Sequence, residues 1–361
     1  MNLKHFFANV VASFLKPHVS ESFDIKKLNK ILIVRQHDQL GDMICAIPLI
    51  RALRRSYPQA YLCLIASPVN AIIMQNHPYL NEVLCYDKKK YWTNPAMLIK
   101  FIREIRKHKF DLAVVPATVS LSTTSDLIAL ISEAKIRLGS SSLNGKLNPC
   151  AKYFTHQVNL SWDYDQHRHQ TLRNLDILKP LGLFSDDLSV IIGFSDLEKK
   201  YAREISNTLR GGKPYLIGIH PGAGKPPNRW KAEYFAEVAN KLHNEFNASV
   251  VVTVGPMDDE PYSILRSHMQ CPYEVIYKKP LREVAALLNH FDLFITNDTG
   301  IMHVAAATGT KVLALFGNTD PLQWAPLNQN LRYISINNGN INSISVDHVW
   351  KEIVTILSKK V

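Results

Sequence analysis

The sequence predicts an α/β protein built from two Rossmann-like, doubly wound domains. Short apolar runs of strand length alternate with helical patterns along the chain, and the same strand–turn–helix order begins again near residue 215. The 361 residues exceed one ordinary core and fit two domains of roughly 150–200 residues. We therefore expect two largely parallel sheets, each covered by helices.

Composition limits the class of protein. Hydrophobic residues make up 46% and charged residues 20% of the chain, which is typical of a globular protein. A net charge of +11 favours an anionic partner. The five scattered cysteines form no CxxC pair, which argues against a disulfide framework or zinc site and fits a reducing cytoplasm. No apolar run is long enough to span a bilayer.

Residues 1–29 form a predicted amphipathic N-terminal extension. Its apolar residues follow the spacing of one helix face: Leu3, Phe6, Phe7, Val10, Val11 and Phe14. Such a helix either docks on the protein's own surface or lies in a membrane interface. The basic balance of the chain favours the membrane surface.

Residues 30–188 form the predicted first domain. A loop from Arg35 to Asp42 follows its first strand and opens a helix, whereas residues 139–165 are polar and carry no periodic pattern. A basic helix is predicted from Met97 to His108. The basic stretch Lys88 to Trp92, with the cations that follow it up to Lys109, is either a solvated face or a contact for an acidic binding partner. The predicted strands are Ile31 to Val34, Tyr61 to Ala66, Glu82 to Tyr86 and Leu112 to Val115.

Residues 189–345 form the predicted second domain, and 346–361 a C-terminal helix that Ser345 is placed to cap. The Pro and Gly punctuation between residues 180 and 193 marks the boundary. Strands are predicted at Tyr215 to Ile219 and Ser249 to Val254, with a tight turn from His220 to Lys225 after the first of them.

The most informative stretch of this domain runs from residue 291 to residue 316. A strand, a polar turn, a small-residue helix and a second strand follow one another, and Asp298 or Thr299 is placed to cap the helix. Gly300 permits close approach of another molecule, and His303 shares the helix face of Thr299. Unpaired amides and the helix dipole favour an anion here, so the sequence predicts a pyrophosphate-sized ligand at this turn.

Three groups of motifs together carry a family resemblance. They are Gln39-Leu-Gly-Asp42, His220-Pro-Gly-Ala-Gly224 with Arg229-Trp230, and Asn297-Asp-Thr-Gly-Ile-Met-His303 running on to Ala314-Leu-Phe-Gly-Asn-Thr-Asp-Pro321 and Trp324-Ala-Pro326. The combination resembles the ADP-heptose:lipopolysaccharide heptosyltransferases, glycosyltransferase family 9, over roughly residues 30–345. It implies the GT-B fold, in which two Rossmann-like domains face each other across a cleft.

The resemblance also implies an activity. An enzyme of this family transfers a heptose, or a related sugar, from an ADP-sugar to a lipopolysaccharide core or similar anionic glycolipid, with inversion and without metal or cofactor. The expected site of action is the cytoplasmic face of the inner membrane. Asp42 matches the family's catalytic base, which takes the proton of the acceptor hydroxyl, and Asp38 in the same loop is a rival for this role.

The donor site that the resemblance implies lies in the second domain. Backbone amides of the Asp298 turn and a cation, Lys225 or Arg229, stabilise the leaving diphosphate. Glu260 is the first choice for the ribose contact, with Asp258 and Asp259 as alternatives, and Trp324 is expected to be structural. The complete predicted donor set is His220, Gly222, Lys225, Arg229, Glu260, Lys279, Asp298, Thr299, Gly300 and His303.

Other functions have less support in the sequence. A nucleotide-sugar epimerase of GT-B-like architecture, or a family member using another nucleotide-sugar, remains the alternative. A dinucleotide-dependent dehydrogenase is disfavoured because the loop after the first strand contains only Gly41 and no G-x-G-x-x-G. Nucleic-acid binding is suggested by charge alone, since no recognition helix, RNA-binding aromatic motif or metal finger accompanies it.

Overall fold

The structure, a computed structural model, describes residues 27–336 and 339–358. The chain divides into two compact units, Met1–Leu188 and Ser189–Val361. The amphipathic helix predicted within residues 1–29 falls largely outside the described residues, which begin at Lys27.

The first unit contains one predominantly parallel sheet. Its strands pair in the order β3-β2-β1-β4-β5, with β7 parallel and β6 antiparallel to β5. The strands are β1 (Lys30–Arg35), β2 (Tyr61–Ala66), β3 (Glu82–Cys85), β4 (Leu112–Val114), β5 (Ile136–Leu143), β6 (Lys146–Leu147) and β7 (His156–Leu160). Near-continuous burial of β1, β2 and β4 is what a parallel sheet covered on both faces requires.

Helices connect these strands and complete the first unit. They are α1 (Leu40–Ile44), α2 (Ile47–Ser56), α3 (Pro68–Ile73), α4 (Lys88–Thr93), α5 (Pro95–Lys107), α6 (Thr123–Ile131) and α7 (Gln170–Asp176). Short 3-10 turns occur at Ala151–Tyr153 and Lys179–Leu181. Helix α5 begins two residues earlier than predicted, because Asn94 caps it and Pro95 fits the first helical position.

The polar stretch 139–165 contains much of β5 and all of β6 and β7, which the sequence did not predict. Hydrogen bonds compensate the buried polar groups: Asn148 Nδ2 donates to Ser140 O (2.9 Å), and Ser142 Oγ donates to Asn159 Oδ1 (2.5 Å). These strands therefore lack the apolar alternation on which the prediction depended.

The second unit contains a fully parallel sheet in the order β10-β9-β8-β11-β12-β13. Its strands are β8 (Leu216–His220), β9 (Ser249–Val254), β10 (Glu274–Tyr277), β11 (Leu293–Asn297), β12 (Val312–Phe316) and β13 (Leu331–Ser335). Its helices are α8 (Asp196–Arg210), α9 (Ala232–Phe246), α10 (Asp259–His268), α11 (Leu281–Leu288), α12 (Gly300–Ala307), α13 (Pro321–Trp324) and α14 (Val346–Ser358), with 3-10 turns at Pro226–Asn228 and Ile341–Ser343.

The core of the second unit packs around Trp230, which is fully buried. Its indole Nε1 donates to Ile344 O (2.9 Å), so even its polar atom is satisfied. The C-terminal helix α14 buries Val349 and Ile353 in the same core. Ser345 caps that helix as predicted, because its Oγ accepts a hydrogen bond from the amide of His348 (3.2 Å).

Both sheets have a topological switch point, where the strand order reverses direction. It lies between β1 and β4 in the first unit and between β8 and β11 in the second. Ligands of doubly wound proteins bind beyond the carboxyl ends of the strands at such points. The Gln39–Asp42 motif follows β1, and the His220 and Asp298 motifs follow β8 and β11. The three motifs therefore lie at the two switch points.

Candidate active site

The Asp298 turn connects β11 to α12 at the switch point of the second unit. Thr299 is the N-cap residue in an extended conformation, without a side-chain cap hydrogen bond, and α12 begins at Gly300. The amide of Asp298 donates to Leu315 O (2.9 Å), so the sheet occupies it. This corrects the expectation that all three amides of the turn face the ligand. The Gly300 amide lies in the first helical turn, where a helix supplies no acceptor.

Asn297 fixes the loop after β8 against β11. Its Nδ2 donates to the carbonyl oxygens of Pro221 (2.9 Å) and Gly222 (3.1 Å), and its Oδ1 accepts from the amide of Trp230 (3.0 Å). The side chain is fully buried, so each of these bonds replaces one to water. Asn297 thereby aligns the two motif loops of the second unit, a role that the sequence analysis missed.

His220 is buried at the carboxyl end of β8 and links three elements. Its Nδ1 lies 3.0 Å from Thr253 O, and its Nε2 lies 3.6 Å from Asp258 Oδ2. Burial lowers the pKa of His220, although the nearby carboxylate of Asp258 opposes the shift. These contacts hold the imidazole of His220 between β8, β9 and the start of α10, and its donor contact stays a prediction.

Gly222 is a glycine because of Asp258. A Cβ atom at Gly222 would lie only 2.0 Å from Asp258 Oδ1. The same carboxylate accepts a hydrogen bond from the amide of Gly255 (2.7 Å). Asp258 is therefore a buried residue that organises this loop. The missing Cβ of Gly222 makes room for its carboxylate, and the close approach of a donor at Gly222 stays a prediction.

The two other acidic candidates are solvent-accessible. Asp259 is paired with Lys278 Nζ (2.7 Å) and accepts from Tyr277, and these partners lower its pKa. Glu260 retains 78% of its side-chain exposure and pairs with Arg229 Nη1 (3.2 Å). Lys279, another residue of the predicted donor set, is exposed just after β10. Of the three acids, Glu260 has the most accessible carboxylate.

The two candidate cations differ in what they contact. Arg229 is half-buried, and its Nε donates to Ala223 O (2.8 Å), so the guanidinium closes the turn between residues 220 and 229. Lys225 is exposed, and within the described part of the chain it makes no ion pair. Its charge acts on Asp298, whose pKa is raised chiefly by burial and lowered in part by Thr319 and Lys225.

Asn228 connects the Asp298 turn to the segment after β12. Its Nδ2 lies 3.3 Å from Asp298 Oδ2 and 3.0 Å from Thr319 Oγ1, and donates to both. His303 is buried in α12 and packs edge to face on Trp324, with ring centroids 6.4 Å apart. This places Trp324 beside a predicted site residue. Asn228 did not stand out in the sequence, because short polar residues are ordinary in loops, and Thr319 appeared only as one residue of the motif that runs to Pro321.

Asp42 lies in α1 at the switch point of the first unit and is buried. Its partner is Arg35, the last residue of β1, whose Nη2 lies 3.7 Å from Asp42 Oδ1 and whose Nε donates to Asp42 O (3.1 Å). The same guanidinium donates to Pro116 O (3.3 Å) beyond β4. Burial lowers the pKa of Arg35, while Asp42 opposes that shift. The rival base Asp38 is exposed.

The loop between Arg35 and Asp42 is tethered on its other side by α3. Ser67 Oγ donates to His37 O (2.9 Å), and Asn70 Nδ2 donates to the same oxygen. The amide of Gln36 donates to Ser125 Oγ (3.1 Å) at the start of α6. The backbone before the candidate base is therefore fixed by two neighbouring helices, α3 and α6, as a preorganised site requires.

Two negative findings complete the description. Among residues 27–336 and 339–358, no group of three or more His, Cys, Asp and Glu side chains is placed to hold a metal ion. None of the helices in this described part of the chain has both the length and the apolar character needed to cross a membrane.

Two doubly wound units with polar motifs at their switch points define a two-domain α/β protein of the GT-B type. The sequence matches glycosyltransferase family 9 (heptosyltransferase) over residues 98–352, more than half of the chain. The chain belongs to this family and is a glycosyltransferase.

Curated relatives span most of the chain. Lipopolysaccharide heptosyltransferase 3 of Escherichia coli (strain K12) is 27% identical over 300 residues, which are 81% of this chain and 83% of the relative. Lipooligosaccharide heptosyltransferase 2 of Campylobacter jejuni subsp. jejuni is 25% identical over 305 residues, 82% of this chain and 85% of the relative.

Solved structures share the fold. A family 9 glycosyltransferase from Veillonella parvula superposes with a TM-score of 0.80 at 24% identity, covering 94% of this chain and all of that one. ADP-heptose lps heptosyltransferase II of E. coli gives a TM-score of 0.76 at 23% identity, and the match covers 92% of this chain and 99% of that one. An E. coli heptosyltransferase solved with ADP-2-deoxy-2-fluoro heptose gives a TM-score of 0.68 at 16% identity, and the match covers 90% of this chain and 99% of that one. The expectation of a GT-B fold is confirmed.

Proposed function

We propose that the protein transfers a heptose from ADP-heptose to the inner core of lipopolysaccharide, or to a similar anionic glycolipid, with inversion at the anomeric carbon. The observation that carries the proposal is the Asp298–Gly300 turn at the switch point of the second unit, with the exposed Lys225 beside it. Named relatives that use ADP-heptose or act on lipopolysaccharide support the choice of donor and acceptor.

The donor's diphosphate is assigned to the start of α12. Amides of the first helical turn and the positive end of the helix dipole stabilise negative charge there. Lys225 is the cation assigned to the departing ADP, since Arg229 is held by Ala223 and Glu260. Fixed amide groups and a lysine thus stabilise the negative charge that develops on the leaving phosphate. Such stabilisation lowers the activation barrier of sugar transfer.

Asp42 is assigned as the base. In the proposed step the acceptor hydroxyl loses its proton to the Asp42 carboxylate, and its oxygen forms a bond to the anomeric carbon. The bond from that carbon to the phosphate oxygen breaks, and ADP departs with the electron pair. Attack opposite the leaving group inverts the configuration. No metal or cofactor takes part in this proposal.

The first unit offers a basic surface for the acceptor. Helices α4 and α5 expose Lys89, Lys90, Lys100, Arg103 and Lys107. Such a surface attracts phosphates and carboxylates of a glycolipid core and the anionic face of the cytoplasmic membrane. We therefore assign the protein to the inner face of that membrane as a peripheral protein. Sedimentation with anionic vesicles, but not with neutral ones, is the expected result.

The direct test is a transfer assay with ADP-heptose and heptose-deficient lipopolysaccharide, with the product followed by mass spectrometry. Asp42→Asn is expected to abolish transfer while leaving ADP binding intact, and Asp38→Asn is the matched control that keeps activity. Full turnover by Asp42→Asn would contradict the assigned base. Conversion of the donor in the absence of an acceptor would instead indicate an epimerase. Thermal stabilisation of the protein by UDP- or GDP-sugars, and not by ADP-sugars, would overturn the assignment of the donor.

A further inference from the structure

A pocket of about 440 Å³ opens beside the Asp298 turn on the β12 side of the second unit. Its volume lies in the range of small-molecule sites. Its walls come from the segment before α9 and from residues 318–324, which run from the end of β12 through α13. The lining residues that matter here are Lys225, Asn228, Asn318, Thr319, Gln323 and Trp324.

The chemistry of the lining fits a neutral, hydroxyl-rich ring. Asn318 and Gln323 carry side-chain amides, which offer both donors and acceptors to hydroxyl groups. Trp324 is half-buried and adds an apolar ring face, against which the C–H face of a sugar can pack. Asp320 also lines the pocket, so a second phosphate there would meet a carboxylate. Lys225 is the single cation of this lining.

Two local contacts build the pocket next to the turn. Asn228 donates to both Asp298 and Thr319, and so connects the turn to the pocket wall. A Cβ atom at Gly317 would lie 3.1 Å from Pro227 O, so this glycine lets the two walls pack closely. The same Cβ atom would lie 3.1 Å from Ile341 Cβ and 3.2 Å from Gly339 O, so Gly317 also permits close packing outside the pocket lining.

The strand order places the pocket where the sugar of a donor is needed. The proposed diphosphate site lies at the β8/β11 switch point, and β12 is the next strand beyond β11. Adjacent strands are about 4.8 Å apart. A ring bonded directly to the outer phosphate therefore reaches the end of β12, where residues 318–324 begin.

We propose that this pocket binds the sugar ring of the nucleotide-sugar donor and determines which sugar is accepted. Trp324 packs against the ring, and Asn318 and Gln323 bond its hydroxyl groups. The inference rests on the proposed function, because it takes the donor's diphosphate to be bound at the Asp298 turn. It goes beyond that function by assigning sugar selection to side chains that the sequence analysis did not associate with the donor.

The test compares ADP with ADP-heptose by isothermal titration calorimetry. For Gln323→Ala and Asn318→Ala we expect an ADP affinity within about twofold of wild type and an ADP-heptose affinity about tenfold weaker, the scale of one lost hydrogen bond. Trp324→Leu is expected to lower the affinity for ADP-heptose at least as much. Gln270→Ala, an exposed amide outside the pocket lining, is the matched control and should change neither affinity.

Each outcome decides the proposal. Equal weakening of ADP and ADP-heptose would assign the pocket to the nucleotide or diphosphate and overturn it. Wild-type protein that binds ADP as tightly as ADP-heptose would overturn it as well. If wild-type protein binds only a UDP- or GDP-sugar, the proposed donor is wrong, and the same comparison with that sugar and its free nucleotide decides the pocket separately. Thermal melts of each variant exclude misfolding, and Gln323→Ala suffices if Trp324→Leu does not fold.

Discussion

Nη2 of Arg35 lies 3.7 Å from Oδ1 of Asp42, and both side chains are buried. The guanidinium also donates to backbone oxygens of Asp42 and Pro116, so its position is fixed by the ends of β1 and β4 together. A buried carboxylate is costly unless a cation compensates it. Arg35 therefore supplies the charge that compensates the buried carboxylate of Asp42.

Removal of Arg35 alone is expected to destabilise the first unit strongly. Arg35→Met leaves the buried carboxylate of Asp42 without its cation. Breaking a buried ion pair in this way lowers the free energy of unfolding by about 3–5 kcal/mol. In the Asp42→Asn background the same change should cost clearly less, because the charge that needs compensation is gone. Urea unfolding of the wild type, both single variants and the double variant measures this coupling. An equal cost in both backgrounds would show that the pair carries no coupling energy.

Neutralising Lys225 is expected to weaken ADP binding without affecting stability. Lys225→Met removes the exposed cation nearest to Asp298, so the Kd for ADP should rise about tenfold and depend less on salt. Titration calorimetry at two ionic strengths measures both effects. Lys311→Met removes an equally exposed charge outside the pocket lining and serves as control.

Arg229 provides the contrast to Lys225. Because its guanidinium is bound to Ala223 and Glu260, Arg229→Met should lower the midpoint of unfolding. The affinity for ADP should change little. A larger loss of ADP affinity in Arg229→Met than in Lys225→Met would reverse the assignment of the phosphate-binding cation.

The fold was predictable because it depends on local patterns. The buried strands Tyr61–Ala66 and Ser249–Val254 have the predicted bounds, since a strand covered on both faces is an uninterrupted apolar run. Strands β5 and β7 were missed because Ser142 and Asn159 satisfy each other across the sheet, a pairing that no local pattern reveals.

The candidate site was predictable only in part, for a similar reason. The motif loops after β1, β8 and β11 lie at the switch points, as strand–turn–helix patterns indicate. The residues that organise them, Arg35, Asn228 and Asn297, act through partners distant in sequence. The packing of Asp258 against Gly222 likewise joins residues that are distant in sequence, so no local pattern reveals it.

The two glycines of the His220 loop should respond oppositely to alanine. Gly222→Ala places a Cβ atom 2.0 Å from Asp258 Oδ1, so the carboxylate must leave its bond with Gly255, at a cost of about 1–3 kcal/mol. Gly224→Ala meets only Met257 at 4.0 Å and should be nearly neutral. Chemical unfolding of both variants measures the difference. Equal stability would contradict the packing of Asp258 against Gly222.

The ion pair of Glu198 with Arg282 should make the second unit sensitive to acid. Arg282 Nε and Nη2 donate to the two carboxylate oxygens at 2.5 and 2.7 Å, and this pairing, ahead of the opposing effect of burial, lowers the pKa of Glu198 to about 2. A depressed folded-state pKa stabilises the protein above the ordinary Glu value of about 4.3, and the contribution is lost as the pH falls towards 2. Glu198→Gln should therefore cost about 1–2 kcal/mol at pH 7, a figure reduced for partial solvent screening.

The difference between wild type and Glu198→Gln should shrink steadily between about pH 4 and pH 2, because the protonated wild-type carboxyl no longer forms the ion pair. Unfolding free energies at pH 7, 4 and 3 test this. Asp196→Asn is the matched control, since Asp196 lies on the same first turn of α8, is fully exposed and pairs only with Lys199. Its substitution should shift the free energy of unfolding by less than about 0.5 kcal/mol at every pH. A Glu198→Gln difference that stays constant down to pH 3 would show that Arg282 does not stabilise the charged form.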